Sequence, residues 1–199
     1  MGDTYKTIAK SSPQTLFKDK KSKFYGYAYP ISEASEVKAI IEQLKRNHPA
    51  ANHVCYAWQL GVEEIAFRVN DDGEPNNSAG FPIYGQIQAC NVTNVLVTVV
   101  RIFGGTKLGV GGLITAYKTA AKNALQSTII IERTIQERLT VSFEYAHLDK
   151  VMRIIKQRQL LIIAQNMQLN CMVTLSVRKR DAPKIKKQFE GMQGVTLKY

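Results

Sequence analysis

The spacing of apolar positions changes repeatedly along the first part of the chain, and it predicts strands and helices in alternation. Tyr25, Tyr27 and Tyr29 recur at every second position of residues 24–30, a strand. Val37, Ile40, Ile41 and Leu44 follow at i, i+3, i+4 and i+7, one stripe of a helix that Asn47, His48 and Pro49 end. Val54, Tyr56, Trp58 and Leu60 alternate within 53–60, and Ile65, Phe67 and Val69 within 64–70, so with a turn at Gly61 the two form a hairpin. Its other face carries His53, Cys55, Gln59, Arg68 and Asn70, and is expected to stand open to solvent or ligand. A polar loop then leads to a helix over 81–90, with Pro82 in its first turn. Residues 94–103, NVLVTVVRIF, are apolar on both faces, as a central strand requires. A glycine-rich loop follows, and then a helix with Leu113, Ala116, Tyr117, Ala120 and Ala124 on one side, small enough to pack close to a sheet.

The pattern changes near Ser127. A strand in 133–145 precedes a helix marked by Leu148, Val151, Met152 and Ile155. QLLIIAQ and LNCMVTLSV read as two strands, Ala182, Ile185 and Phe189 mark a second helix, and GVTLKY is a last strand. This β-α-β-β-α-β order is the split signature of a ferredoxin-like domain. The chain therefore reads as α+β in two domains, residues 1–126 and residues 127–199.

Composition narrows the function classes. The longest apolar runs are strand-sized, well short of a membrane span. No signal-peptide or myristoylation pattern opens the chain, and three scattered cysteines without a CxxC pair read as free thiols. A cytoplasmic protein is expected. The net charge is +11, and it is uneven. Residues 1–126 carry 14 Lys or Arg against 10 Asp or Glu, whereas residues 127–199 carry 13 against 6. Such an excess favours a polyanionic partner or, equally, a solvated surface.

Four stretches carry candidate chemistry. In RIFGGTKLGVGGL, Gly104, Gly105, Gly109, Gly111 and Gly112 permit close backbone approach and positive φ, between a strand and a helix start. Backbone N–H groups there, with Arg101 and Lys107, suit a phosphate. The loop is neither a Walker A nor a clean GxGxxG motif, and packing architecture is the competing reading. In NDDGEPNNSAG, Asp71, Asp72 and Glu74 read as an acid cluster for a metal or a hydrolytic site, or as turn residues whose carboxylates accept backbone hydrogen bonds. His48, His53 and Cys55 have donor atoms for zinc but supply only three ligands, so no metal or cofactor is expected. Surface-loop candidates are thus His53, Cys55, Arg68, Asp71, Asp72 and Glu74. VRKRDAPKIKK sets Arg178, Lys179, Arg180, Lys184, Lys186 and Lys187 at a strand end and helix start, a second polyanion candidate or a solvated basic face.

Taken together, KSKFYGY, HPAANHVCYAW, NDDGEPNNSAGFPI and VRIFGGTKLGVGGLITAY resemble the IMPACT family, in particular its bacterial YigZ-type branch, over residues 20–125. The resemblance implies a ribosomal-protein-like α/β sandwich followed by a small ferredoxin-like domain. It also implies a role among translation regulators or nucleic-acid- and ribosome-associated proteins. The chain departs from the family pattern at Asn77, where glycine is usual, at Val100, where threonine is, at Ile102, where tyrosine is, and at Thr115, where arginine is. The leading expectation is a non-enzymatic protein that contacts RNA or the ribosome and modulates translation. The alternatives are a small-ligand or metal-dependent hydrolase built on the DDGEP loop, and a module that docks a regulatory protein.

Overall fold

The computed structural model describes residues 2–198. They fall into two compact α+β units, residues 5–133, and residues 134–198 together with residues 2–4. The first unit is built on β2 (Thr15–Asp19), β3 (Ser22–Pro30), β4 (His53–Leu60), β5 (Ala66–Asn70) and β6 (Val95–Ile102), which form an antiparallel sheet in the order β2-β3-β6-β4-β5. Two short strands that hydrophobic spacing did not mark, β1 (Thr4–Ile8) and β7 (Ile130–Thr134), pair separately.

Helix α1 (Glu36–Asn47) covers one face of the sheet, burying Val37 and Leu44 against Tyr27, Val54, Leu96 and Val100. Helices α2 (Gly80–Ala89) and α3 (Gly109–Gln126) cover the other face. Ala116, Ala120, Ala121 and Ala124 of α3 are fully buried there, and their small side chains let the helix approach the strands. Strand β6 runs between β3 and β4 with both faces under helices, which is why its sequence is apolar throughout.

The hairpin differs from its sequence reading. Cys55 and Ala57 are fully buried beneath α2 and α3, so their face is core and not an open surface. Arg68 and Asn70 lie opposite Trp58 and Tyr56, on the α1 side. Directly opposed residues of an antiparallel pair share a face, and this register joins the polar positions of β5 to the aromatic positions of β4.

In the second unit, β8 (Gln136–Glu144), α4 (Leu148–Gln157), β9 (Leu161–Asn166), β10 (Asn170–Arg178), α5 (Ala182–Glu190) and β11 (Val195–Lys198) follow in the expected order. The sheet order β11-β8-β10-β9 is that of a ferredoxin-like domain. Leu139, Val141, Phe143, Val173 and Leu175 pack there with Val151 and Ile155 of α4 and Ile185 and Phe189 of α5. No helix among the described residues is long and apolar enough to cross a membrane.

Candidate functional site

The loop between β5 and α2 is closed by its own carboxylates. Asp71 Oδ1 accepts hydrogen bonds from the N–H groups of Ala79 at 2.9 Å and Gly80 at 2.8 Å, and Oδ2 from Asn77 N–H at 2.9 Å. Asp71 thereby caps α2 from a distance, because Ala79 at the cap position has no side-chain acceptor. Asp72 Oδ2 accepts from Val54 N–H at 2.7 Å, its Oδ1 lies 3.6 Å from Lys45 Nζ, and its carbonyl oxygen is 2.9 Å from His53 Nδ1. Asn77, at the position where the family pattern has glycine, takes φ 63°, a left-handed conformation that asparagine tolerates.

Glu74 points inward. Its Oε1 accepts from Arg101 Nη1 at 2.6 Å and from the Tyr117 hydroxyl at 2.7 Å, and lies 3.9 Å from His53 Nε2. Only 3% of the Glu74 side chain and 7% of the Arg101 side chain is exposed. The Arg101 guanidinium sits 5.6 Å from the Phe24 ring and 5.5 Å from the Phe103 ring. Beneath it, Cys55 Sγ lies 3.3 Å from the Tyr117 hydroxyl and 3.0 Å from the Asp71 carbonyl oxygen. Burial pushes both the Cys55 thiol and the Tyr117 hydroxyl far above their ordinary range, so both stay protonated.

Above this network opens a cleft of about 470 Å³ lined by Asn52, His53, Glu74, Arg101, Phe103, Lys107 and the start of α3. The first turn of α3 holds no acidic residue, and Leu108 at its cap position offers no side-chain acceptor. The glycine loop reaches this place by close approach and left-handed turns. A Cβ on Gly104 would stand 2.1 Å from the Lys21 carbonyl carbon, and Gly105 and Gly109 take φ 86° and 75°. In the first turn of α3, Gly111 lies exposed and Gly112 half-buried.

Of the residues singled out in the sequence, His53, Glu74, Arg101, Lys107 and Gly109 thus meet around one cleft. Asp71 and Asp72 build its supporting loop, Cys55 lies below, and Arg68 is on the opposite side of the sheet. His48 is engaged elsewhere, 2.6 Å from the Tyr27 hydroxyl. Among the described residues no three His, Cys, Asp or Glu side chains are grouped as metal ligands.

The 178–187 cations belong to the second unit and do not form one row. Arg178 pairs with Asp3, Lys186 with Glu137, and Lys184 lines a separate cavity with Arg158 and Asp181. Asn52, Phe103 and Tyr117 escaped the sequence reading of the site. For Tyr117 the available signal was a hydroxyl on an otherwise apolar helix stripe.

The Impact N-terminal domain family model matches residues 20–125, which hold the five-stranded sheet from β3 onward, all three helices and both loops. The chain belongs to the IMPACT family. IMPACT family member YvyE of Bacillus subtilis is 32% identical over 71% of this chain and 65% of its own length, just under two thirds. IMPACT family member YigZ of Escherichia coli K12 is 31% identical over 74% of each chain. A crystal structure described as that of a hypothetical protein matches 99% of this IMPACT-family chain and 97% of its own, with a TM-score of 0.76 and 25% identity. The two-domain translational regulator Yih1 is 26% identical over 59% of this chain and 46% of its own, with a TM-score of 0.38.

Proposed function

We propose that this chain is a non-enzymatic cytoplasmic protein that holds the phosphate backbone of RNA, in the ribosome or free, and so modulates translation. The observation that carries this reading is that Asp71, Asp72 and Glu74 all turn their carboxylates to partners within the fold. Among the polar groups of the cleft beside them, Lys107, Arg101 and the opening N–H groups of α3 are donors, while Pro75, Leu108, Val110 and Leu113 make much of the remaining lining apolar. Phe103 at the rim is 43% exposed, a surface on which a base can stack. The second unit has exposed basic residues of its own, Arg180 and, beside its cavity, Lys184. Protonated Cys55 and Tyr117 supply neither nucleophile nor base, which weighs against a hydrolase. Translation is the role implied by the family resemblance.

The test is ribosome co-sedimentation and RNA anisotropy across a salt series. Lys107→Glu is expected to weaken binding about tenfold and to lower the salt slope by about one. Absence of both co-sedimentation and RNA binding at low salt would overturn the proposal. A protein partner is the second reading, favoured by exposed Phe103, Val110 and Ile114 in this region. A partner retained in a pull-down after nuclease treatment would establish it.

A further inference from the structure

A second groove lies on the α1 side of the sheet, toward the β5 edge. Its floor is Tyr56 and Trp58 of β4 beside Arg68 and Asn70 of β5, and the register sets Arg68 opposite Trp58. Lys38 and Lys45 of α1 stand along its wall, and its volume is about 360 Å³. Tyr56 and Trp58 are partly buried, packed against the cluster of Ile31, Val37 and Leu96 while also lining the groove. Their backs are therefore fixed while part of each ring remains available. Because β5 is the edge strand, no further strand closes the groove on that side.

The charges on this groove differ from those of the first cleft. Lys45 and Asp72 lie within ion-pair distance at 3.6 Å. Lys38 and exposed Arg68 then outnumber the remaining acid, Glu42. A rigid aromatic floor with flexible cations at its margins matches a ligand that offers flat π-faces joined by anionic links. Lys38, Lys45 and Arg68 against Glu42 and Asp72 leave the groove lining with an excess of cations, which favours a polyanion over a cationic peptide that the same aromatic rings would also accept. The 71–77 loop lies between the two sites, since Asp72 lines this groove while Glu74 and Pro75 line the first cleft.

We infer that this groove binds single-stranded RNA, with bases stacked on Trp58 and Tyr56 and adjacent phosphates met by Arg68 and Lys38. The inference rests on the chain being an RNA-binding protein and adds a base-stacking surface distinct from the phosphate cleft.

Trp58 is the chain's single tryptophan, so its emission reports this groove directly. The experiment titrates the full chain with an oligouridylate of about ten nucleotides, within the range that one single-strand site accommodates. Trp58 emission and the anisotropy of an end-labelled copy are followed in parallel. Quenching that tracks the anisotropy curve is expected. Arg68→Glu, at an exposed position, and Tyr56→Ala should each shift the midpoint about tenfold, whereas Trp58→Phe should hold affinity within about twofold. If Tyr56→Ala fails to fold, Arg68→Glu decides alone.

A rise in anisotropy with flat Trp58 emission would overturn this inference and leave the phosphate cleft standing. No rise in anisotropy at low salt would also overturn this inference, and ribosome co-sedimentation then decides whether the phosphate cleft stands. Equal quenching by an acidic peptide of similar length and charge would overturn RNA as the occupant in favour of a protein segment.

Discussion

Replacing Glu74 by glutamine keeps the size of the side chain and removes its charge, leaving Arg101 cationic where only 7% of its side chain is exposed. The attraction lost is that of a 2.6 Å pair, and the Tyr117 hydroxyl loses its charged acceptor as well. Breaking one partner of a buried pair costs about 3–5 kcal/mol, mostly because the remaining charge stays desolvated. For a unit of this size that corresponds to a fall in Tm of roughly 10–20 °C. Urea unfolding followed through Trp58, which lies in the same unit, measures the loss directly. The double variant Glu74→Leu with Arg101→Met removes both charges, and it should recover most of the stability lost in the single variant. A Glu74→Gln midpoint within experimental error of the parent would refute the reasoning. So would a double variant no more stable than the single one, because the cost would then lie in packing and not in an orphaned charge.

Burial holds His48 below its ordinary value of 6.5, so the folded state favours the neutral ring. The unfolded chain then takes up the proton first, and stability is lost as pH falls below about 6.5, an effect that His48→Gln should flatten in urea midpoints across pH. Gly104→Ala would place a Cβ 2.1 Å from backbone of Lys21 and is expected to lower stability by at least about 1–3 kcal/mol. Gly111→Ala meets nothing within 4 Å and should be neutral or stabilising by up to about 1 kcal/mol, with thermal melts of the two variants giving the comparison.

Much of the fold was legible because periodicity reflects how many faces of an element are covered. The all-apolar 94–103 segment is legible as a central strand because helices cover both of its faces, and the α1 stripe because one side is solvated. The family was legible from ordered motifs over residues 20–125. The polarity of the hairpin was misleading for a local reason. Cys55 beside His53 resembles a wet face, yet Cys55 contacts the Tyr117 hydroxyl and the Asp71 carbonyl inside the core. Likewise, β1 (TYKTI), β2 (TLFKD) and β7 (IIERT) show no alternation of apolar and polar positions, so no period marks them.

The sequence by itself determined the α+β class, the order of the elements that periodicity marks, the excess of positive charge and the position of two unusual loops. These follow from local spacing and composition. Only the tertiary structure decided what the acids do, because the partners of Glu74 lie 27 and 43 residues away in the chain. A carboxylate is a metal ligand, a proton carrier or a structural acceptor according to which donors surround it. Those donors arrive from β4, β6, α2 and α3 only once the sheet has assembled. The register between β4 and β5 likewise arises from strand pairing, and it alone sets Arg68 beside Trp58.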